Sequence, residues 1–471
     1  MDKMIIVGGG AAGMMTAIKA ADRYEVTVIE KNEKLGKKLF ITGKGRCNIT
    51  NNSSRDTFLN NVTTNSRFLY SAISEYDQAM LLSDLKDWGL KVKTERASRV
   101  FPVSDHSSDV IKTLENEMKK RGVKILLNSE CTELLLEDFI SDDPKSKYKK
   151  KVTGIKYKDS MGIKTLKADI VVVCAGGASY PSTGSDGKAL KYLESLGVSI
   201  NPFKPSLVPF NIKESFCKDL MGLSLKNVTF KVILKAESDK QSCINADTEN
   251  VSDLSANMQD YPMLSDTKTD KNNKKKKKEK DKILYEEMGE MLFTHFGVSG
   301  PLVLSASSYI HKYFDEKKFT ANRELLAVID LKPALDEETL DKRVLKDFAK
   351  YENREFANAL SDLLPRALIP VVIKMADIDP MKKVNSITHE ERKELVRVLK
   401  NFTMHINSLR EWNEAIVSSG GVMIKEIDPK TMELKKIRNL KVAGEIIDCD
   451  ALTGGFNLQI AWSTANSAAK K

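Results

Sequence analysis

Glycine-rich segments with polar side chains beside them recur four times in this chain, a pattern typical of sites that hold phosphate groups. The first reads Gly8-Gly9-Gly10-Ala11-Ala12-Gly13 between an apolar run and a helical one, and Glu30 ends the next apolar run. In such a turn Gly8 allows the tight bend, Gly10 lets the backbone approach a pyrophosphate, and Gly13 lets the helix pack closely. A carboxylate at the position of Glu30 accepts hydrogen bonds from ribose hydroxyls. The spacing predicts a dinucleotide site, and the alternative is a glycine-rich turn without a ligand.

The second segment, Lys37 to Asn48, combines two glycines with charged and amide groups. Gly43 and Gly45 permit close approach of a ligand to the backbone. Arg46 offers a fixed fork of donors, and Asn48 offers both a donor and an acceptor. The lysine at 37 or 38 could balance phosphate charge. A tight turn with a surface arginine is the alternative, and the sequence leaves both open.

The other two segments flank later apolar runs. Ala175-Gly176-Gly177 follows an apolar strand, at the edge where open α/β sheets bind ligands. Gly444-Glu445 precedes Gly454-Gly455-Phe456-Asn457-Leu458, and this last run opens a helix. Amides at that helix start would favour the negative charge of a reduced flavin, and Glu445 could accept a ribityl hydroxyl. Helix capping and a surface acid are the alternatives.

Three side chains are candidates for catalysis. His295 could relay a proton if it faced a flavin, with a hydrogen-bonded structural histidine as the alternative. Tyr180 and Arg46 could orient a carbonyl or carboxylate. Cys47 has no second cysteine nearby in sequence, so we expect a packed or ligand-lining thiol and no dithiol chemistry. No motif for hydrolysis, phosphoryl transfer or metal binding is evident, and we expect no metal.

Apolar runs around these segments predict the elements that position them. Strands are predicted at Met4–Val7, Val26–Ile29, Val123–Leu127, Glu133–Glu137, Thr153–Lys158 and Ala168–Cys174, and a helix at Asp109–Arg121. Repeated alternation of strands and helices indicates an α/β fold with a mainly parallel sheet.

From about Pro202 the pattern becomes that of a β-rich module. Strands are predicted at Leu207–Ile212, Val228–Leu234, Met291–Phe296 and Leu325–Leu331, and helices from Asp336 to about Asn407. Within the helical stretch, Thr388 and Glu391 form a capping box, and Pro370 is expected to kink or end a helix. A short strand at Leu440–Ala443 and a helix at Leu458–Ala469 complete the chain.

These changes predict a discontinuous organisation. Residues 1–200 and 422–471 are expected to form one domain, 201–335 and 408–421 a β-rich insert module, and 336–407 a helical subdomain. The polar stretch 236–282 is predicted to be a disordered or flexible insertion in that module.

Composition narrows the class of protein. A chain of 471 residues with 41% hydrophobic and 30% charged residues is typical of a soluble protein of two or three domains. We see no apolar stretch that would span a membrane and no room for a signal peptide. Six scattered cysteines favour a reducing cytoplasm. The run Lys271–Lys282, with eight lysines and two acids, carries most of the net charge of +10, so we expect a solvated loop and no dedicated nucleic-acid site.

Five segments together resemble the BaiN-like family of FAD-binding proteins, also called aminoacetone-oxidase-like or NAD(P)/FAD-dependent oxidoreductases. They are GGGAAG, GKKLFITGKGRCNITN, CAGGASYPSTGSDG, GEMLFTHFGVSGPLVLS and GEIIDCDALTGGFNLQIAWS, in the family's order and spread nearly end to end. The resemblance implies a Rossmann-type, glutathione-reductase-like FAD domain formed by both chain ends, with an inserted β-rich module that carries a helical subdomain. Two departures are Lys44, where glycine is usual, and the long insertion at 236–282.

The resemblance also implies which residues bind FAD non-covalently. The matching positions are Gly8, Gly10, Gly13, Glu30, Lys38, Gly45, Arg46, Asn48, Gly177, Glu445, Asn457 and Leu458. From the same segments and their surroundings we add Ala11, Ala12, Lys31, Gly43, Cys47, Cys131, Ala175, Gly176, Gly444, Gly455 and Phe456.

We therefore expect an FAD-dependent oxidoreductase that moves a hydride between flavin N5 and a small organic substrate held between the FAD domain and the insert module. Because one dinucleotide fingerprint is visible, the second redox partner would be NAD(P)H as a transient donor, or oxygen. A small amine or aminoketone and an enone such as a steroid intermediate are the substrate classes that the family suggests. The alternatives are a flavin-containing, RNA-associated protein of the tRNA-modification kind and a redox-silent FAD-binding scaffold.

Overall fold

A computed structural model describes residues 1–140, 147–236, 281–310 and 324–470. Most of the predicted insertion at 236–282 lies outside the described residues. The strands are β1 (Asp2–Val7), β2 (Tyr24–Ile29), β3 (Thr50–Asn51), β4 (Val92–Thr94), β5 (Arg99–Pro102), β6 (Lys124–Leu126), β7 (Glu130–Asp138), β8 (Lys150–Asp159), β9 (Gly162–Lys167), β10 (Ile170–Val173), β11 (Ile200–Ser206), β12 (Phe210–Ile212), β13 (Ser224–Leu234), β14 (Lys282–Thr294), β15 (Gly297–Ser299), β16 (Leu325–Asp330), β17 (Phe402–Leu409), β18 (Val417–Val422), β19 (Ile437–Arg438) and β20 (Leu440–Val442). The helices are α1 (Ala11–Ala20), α2 (Lys37–Ile41), α3 (Arg55–Asn60), α4 (Tyr70–Glu75), α5 (Gln78–Asp87), α6 (Ser107–Lys120), α7 (Lys188–Ser195), α8 (Pro301–Ile310), α9 (Glu337–Lys350), α10 (Phe356–Ala359), α11 (Ile369–Ala376), α12 (His389–Lys400) and α13 (Phe456–Ala468).

A parallel sheet of five strands, in the order β20-β10-β1-β2-β6, forms the centre of the first half of the molecule. Its central strand is apolar along most of its length, and Met4, Ile5 and Ile6 are buried. Continuous apolar runs of this kind are typical of parallel strands covered on both faces. The predicted parallel α/β sheet is confirmed. Because β20 and α13 come from the last thirty or so residues, both ends of the chain build this layer.

Gly13 sets how closely α1 packs onto β1. A Cβ atom at this position would lie 1.8 Å from the carbonyl oxygen of Gly8, a separation that no side chain tolerates. Gly8 itself has a φ of +106°, in the region that favours glycine. The close turn between β1 and α1 therefore requires glycine at both positions, as the spacing predicts.

Six antiparallel strands close into a barrel in the order β12-β15-β14-β13-β16-β17. Phe210, Phe230 and Phe293 are fully buried in the core of this barrel. Helices α9 to α12 lie between β16 and β17 in the chain. The barrel and these helices share one cluster of buried apolar residues, drawn from 210–406, and the parallel sheet has a separate cluster from 4–198 and 422–469. The predicted domain boundaries near 200 and 422 stay predictions.

Three local expectations differ from the structure. Residues 402–407 were expected to be helical, but they belong to β17, in which Phe402, Met404 and Ile406 alternate inward at the period of a strand. Pro370 lies in the first turn of α11 and does not end a helix, because a missing N–H costs nothing there. The strand β11 was not predicted, since it contains two prolines and carries an irregular register.

The capping box at the start of α12 is confirmed. The Thr388 side chain accepts a hydrogen bond from the Glu391 N–H at 3.2 Å, and the Glu391 carboxylate accepts one from the Thr388 N–H at 2.7 Å. No helix among the described ranges is both long and apolar enough to cross a bilayer.

Gly13→Ala tests the packing of α1. The added methyl group collides with backbone, so we expect the apoprotein to lose about 1–3 kcal/mol of unfolding free energy, the usual cost of overpacking. Gly10→Ala is the matched control, because a Cβ atom at Gly10 meets nothing within 4 Å and should change apoprotein stability by less than about 1 kcal/mol. Urea denaturation of both variants gives the comparison. Equal stabilities would contradict the packing argument.

Candidate cofactor site

A cavity of about 1140 Å³ opens along the carboxyl ends of β1, β2 and β10 and extends to the barrel. Its lining combines the turn before α1, the loop after α2, the loop after β10 and the start of α13. On the barrel side it includes Gly289, Pro301 and Leu304. Sites for one drug-sized ligand occupy roughly 300–1,000 Å³. The cavity is therefore large enough for a dinucleotide and lies between the two halves of the molecule.

Most of the predicted cofactor-binding residues line this cavity. They are Gly8, Gly10, Ala11, Ala12, Glu30, Lys31, Lys38, Gly43, Arg46, Asn48, Cys131, Ala175, Gly176, Glu445, Gly455, Phe456, Asn457 and Leu458. Gly13, Gly45, Cys47, Gly177 and Gly444 belong to the same segments but are not part of the lining. The binding roles themselves stay predictions.

Two of the three catalytic candidates lie away from the cavity lining. His295 is exposed, and its ring packs edge-on against Phe296 at a centroid distance of 5.0 Å. Tyr180 is half-buried, and its φ of +52° places it in a tight turn before Pro181. Only Arg46 of the three lines the cavity. The structure thus does not bring His295 to the position from which it could relay a proton into this space.

The turn before α1 has the features of a phosphate cradle. Gly10 caps α1 without a side-chain hydrogen bond, so the first N–H groups of the helix have no side-chain acceptor. A Cβ atom at Gly10 would project into open space, which is the room that an approaching diphosphate needs. The partial positive charge of the helix start favours an anion there.

Glu30 is fixed at the carboxyl end of β2. Its carboxylate accepts hydrogen bonds from the N–H of Gly9 at 2.6 Å and from the N–H of Asn32 at 2.8 Å. The side-chain amide of Asn32 donates a third at 2.7 Å. These bonds hold the carboxylate at the cavity wall with lone pairs left over for ligand hydroxyls.

Glu445 and Lys38 form an ion pair across the cavity wall. The Lys38 ammonium donates to both carboxylate oxygens, at 2.7 and 3.0 Å, and to the Ser179 hydroxyl at 2.5 Å. Burial alone would raise the pKa of Glu445, but Lys38 and the N–H of Ser418 at 2.8 Å outweigh it, so the pKa lies below the usual value. Lys38, a candidate for balancing phosphate charge, is instead committed to this carboxylate.

Arg46 also forms ion pairs with acidic side chains of the protein. Its guanidinium donates to Glu95 and to Asp105, both at 2.6 Å, and stacks on the Phe101 ring at 4.2 Å. The Arg46 hydrogen bond lowers the pKa of Glu95, and Lys93 followed by Arg46 lowers the pKa of Asp105. A substrate carboxylate would have to compete with these two acids for Arg46.

Two polar atoms in the cavity wall are buried without a partner. The side-chain oxygens of Asn48 and Ser53 make no hydrogen bond in the structure, and both residues line the cavity. Buried polar groups almost always find a partner. Donors on a bound polar ligand would satisfy them, and FAD, with its hydroxyl and ring N–H groups, offers such donors. The wall therefore fits a polar cofactor.

The start of α13 lies directly against the backbone of β3. A Cβ atom at Gly455 would come within 2.4 Å of the Thr50 backbone. The Trp462 indole donates to the Ile49 carbonyl at 3.0 Å and Thr50 donates to Gln459 at 2.7 Å, so this contact is held by buried hydrogen bonds. The Asn457 side chain donates a hydrogen bond to the Ala451 carbonyl at 2.7 Å and accepts one from the Ala451 N–H at 2.9 Å, so it fixes the preceding loop.

The cysteines in the described part of the chain offer no redox pair. Cys47 is fully buried, and burial raises the pKa of its thiol to about 12. Cys131 lines the cavity, and burial raises its pKa to about 11. All five cysteines among the described residues are free thiols. Within those same ranges no cluster of three or more His, Cys, Asp and Glu side chains is arranged to hold a metal ion.

Several lining residues were not predicted. They are Asn32, Asn51, Ser53, Asn61, Arg96, Ser98, Arg99, Ser129, Ser185 and Asp186, among others. Asn32 follows the predicted acid by two positions and could have been found from that spacing. The hairpin of β4 and β5, which carries Arg96 and Arg99, has no glycine signal and reaches the cavity through its pairing with β3.

Comparison with known proteins identifies the family. The family model described as "HI0933-like protein Rossmann domain" matches residues 2–471. A protein named 3-dehydro-bile acid delta(4,6)-reductase from Clostridium scindens is 25% identical over 100% of this chain and 98% of its own length. A protein named ribosomal RNA dihydrouridine synthase from Haemophilus influenzae is 26% identical over 99% of this chain and 97% of its own.

Among solved structures, a 3-ketosteroid delta1-dehydrogenase from Sterolibacterium denitrificans is 14% identical, with a TM-score of 0.48 over 99% of this chain and 98% of the other. The family match spans essentially the whole sequence, and the parallel sheet described above agrees with a Rossmann domain. The chain belongs to the HI0933-like Rossmann family.

Proposed function

We propose that this protein reduces a C=C bond conjugated to a carbonyl group in an organic substrate, with FAD as the bound cofactor. The observation that carries the proposal is a single cavity shared by the Rossmann half and the barrel, so that cofactor and substrate can meet between them. When bound, FAD supplies a hydride donor and acceptor at its N5 atom. The rest of the proposal concerns what this chain's residues do.

The nucleotide half of the cofactor would be held by residues that the sequence analysis predicts as cofactor-binding. The start of α1 at Gly10 would receive the diphosphate, and Glu30 would accept hydrogen bonds from the adenosine ribose. Glu445, kept ionised by Lys38, would accept a hydroxyl of the ribityl chain. The start of α13 at Gly455 has no side-chain cap, so its amides would stabilise negative charge on the reduced ring.

The reaction class is supported by what the names of two relatives have in common. A delta(4,6)-reductase of a 3-dehydro-bile acid acts on C=C bonds conjugated to a ketone. A dihydrouridine synthase acts on the C5=C6 bond of uracil, which is conjugated to the C4 carbonyl. Both reactions need a hydride at the carbon distant from the carbonyl and a proton at the adjacent carbon. We propose NAD(P)H as the donor, because the chain shows one dinucleotide fingerprint and a transient donor needs no second one.

The name of the Haemophilus relative favours a second candidate, in which the conjugated bond is that of uracil within RNA. Reduction of uridine in a ribosomal RNA transcript, measured as dihydrouridine by mass spectrometry of the digested RNA, would support it. If the activity on RNA survives deletion of residues 237–280, the lysine-rich run is not needed for it. Reduction of small enones alone would favour the first candidate.

Gly10→Val tests the diphosphate cradle. The side chain would occupy the open space in front of α1, so we expect the Kd for FAD to rise at least about tenfold, equivalent to about 1.4 kcal/mol of binding free energy, and the FAD content after purification to fall. Flavin released by denaturation measures it. Since a Cβ atom at this position would meet nothing within 4 Å among the described residues, the apoprotein should melt within a few degrees of wild type. Full FAD content in the variant would contradict the placement.

Anaerobic stopped-flow absorbance tests the redox partners. We expect NADH or NADPH to bleach the flavin absorption, and 2-cyclohexenone, a minimal conjugated enone, to restore it faster than buffer alone. A protein that keeps its flavin but reacts with neither donor would be the redox-silent scaffold. Rapid restoration by oxygen together with no response to the enone would indicate an oxidase and contradict the proposed reaction.

A further inference from the structure

Of the residues that the structure describes, eight cationic side chains line the cavity, and most of them are neutralised by acids. The paired ones are Lys31 with Asp186 at 2.9 Å, Lys37 with Glu33 at 3.4 Å, Lys38 with Glu445 at 2.7 Å, Arg46 with Glu95 at 2.6 Å and Lys188 with Glu130 at 3.3 Å. Over the ranges that the structure describes, Lys44, Arg96 and Arg99 have no ion-pair partner. All three are exposed and line the cavity.

Arg96 and Arg99 flank a strained turn between β4 and β5. Ala97 and Ser98 lie in succession in the left-handed region, with φ of +58° and +56°. Residues other than glycine avoid this region, and those that adopt it cluster at binding sites. The turn is held in place by the Asn52 N–H, which donates to the Ser98 carbonyl at 2.7 Å. The strained turn therefore fixes the backbone positions of Arg96 and Arg99.

The turn lies beside the start of α13. The Asn51 side chain donates to the Ala97 carbonyl at 3.1 Å and also to the Gly454 carbonyl at 3.0 Å. This one amide ties the arginine turn to the residue before the helix start. The arginines are thus at the end of the cavity proposed for the isoalloxazine ring, away from the diphosphate cradle at Gly10.

Lys44 adds a third charge from the neighbouring loop. Like Ala97, Lys44 has a backbone conformation in the left-handed region, with a φ of +59°. Its loop is joined to the hairpin by the bonds of Arg46 to Glu95 and Asp105. Arg46 and Lys93 engage Glu95 and Asp105, and Lys44 has no ion-pair partner among the described residues.

Two acids among the described lining residues have no ion-pair partner and must be weighed against this positive charge. Glu30 is buried at the carboxyl end of β2, where N–H groups of Gly9 and Asn32 donate to it. Glu290 is exposed and has no ion-pair partner among the described residues, but it belongs to β14 in the barrel and not to the hairpin. The charge asymmetry therefore runs from the hairpin side of the mouth to the barrel side. An elongated substrate with one anionic end would be oriented by it.

We propose that Lys44, Arg96 and Arg99 form a subsite for an oxyanion carried by the substrate, a carboxylate or a phosphate. The inference rests on the proposed function for its location, since it places the substrate next to the flavin ring. Guanidinium groups bind both oxyanions with paired hydrogen bonds. Because the three cations are exposed, the attraction is moderate and weakens as salt screens it.

Binding to the oxidised FAD-loaded protein tests this without any turnover. The ligands are two matched pairs: a 3-oxo-4-ene steroid carboxylic acid with its methyl ester, and uridine 5′-monophosphate with uridine. Affinity is read from the change in flavin absorption. At low salt we expect at least one anion to bind about tenfold tighter than its neutral partner. The preference should shrink as sodium chloride rises to 0.5 M, and which pair shows it identifies a carboxylate or a phosphate source.

The double variant Arg96→Gln/Arg99→Gln should abolish the preference and leave affinity for the neutral ligand within about twofold. Arg23→Gln/Arg67→Gln is the charge-matched control, because both arginines are exposed and neither lines the cavity. It should keep the preference.

Equal affinity for anion and neutral partner in both pairs would overturn the subsite. So would a preference that persists in Arg96→Gln/Arg99→Gln, or the absence of any spectral response in protein shown to hold FAD. Failure of the proposed function is distinguishable, because it appears as an absence of enone reduction while the binding preference remains.

Discussion

The contact between the start of α13 and the backbone of β3 is the constraint on which the site depends. At Gly455 the two backbones approach so closely that a Cβ atom would lie 2.4 Å from Thr50. Trp462 and Gln459 hold the contact with buried hydrogen bonds. Because this helix is near one end of the chain and β1 is at the other, the pocket is built from contacts between residues that are far apart in sequence.

Around this contact the cavity wall is polar, but most of its charged groups are paired with one another. Lys38 and Glu445 neutralise each other, and Arg46 together with Lys93 neutralises Glu95 and Asp105, so the ion pairs give the cavity shape without a large net charge. What remains unsatisfied is specific: the oxygens of Asn48 and Ser53, and the amides that begin α1 and α13. Groups left without partners in a preformed site are those that a ligand must satisfy.

Much of this fold could be predicted from the sequence, because glycine turns and apolar runs act locally. The turn at Gly8–Gly13 and the strands of the parallel sheet follow from spacing alone. β17 was mistaken for helix because its alternation directly follows α12 and its pairing partners, β12 and β16, are distant in sequence. Part of the site escaped prediction for the same reason. The turn at Ala97 reaches the cavity only through pairing with β3, and the commitment of Lys38 to Glu445 joins residues 407 positions apart.

A crystal structure of the protein purified with FAD tests the central claim most directly. The account predicts one FAD molecule whose diphosphate lies at the start of α1 and whose ring system lies beside Gly455, so that both chain ends contact it. FAD bound elsewhere, or FAD held by the N-terminal turn with its ring distant from α13, would contradict the account.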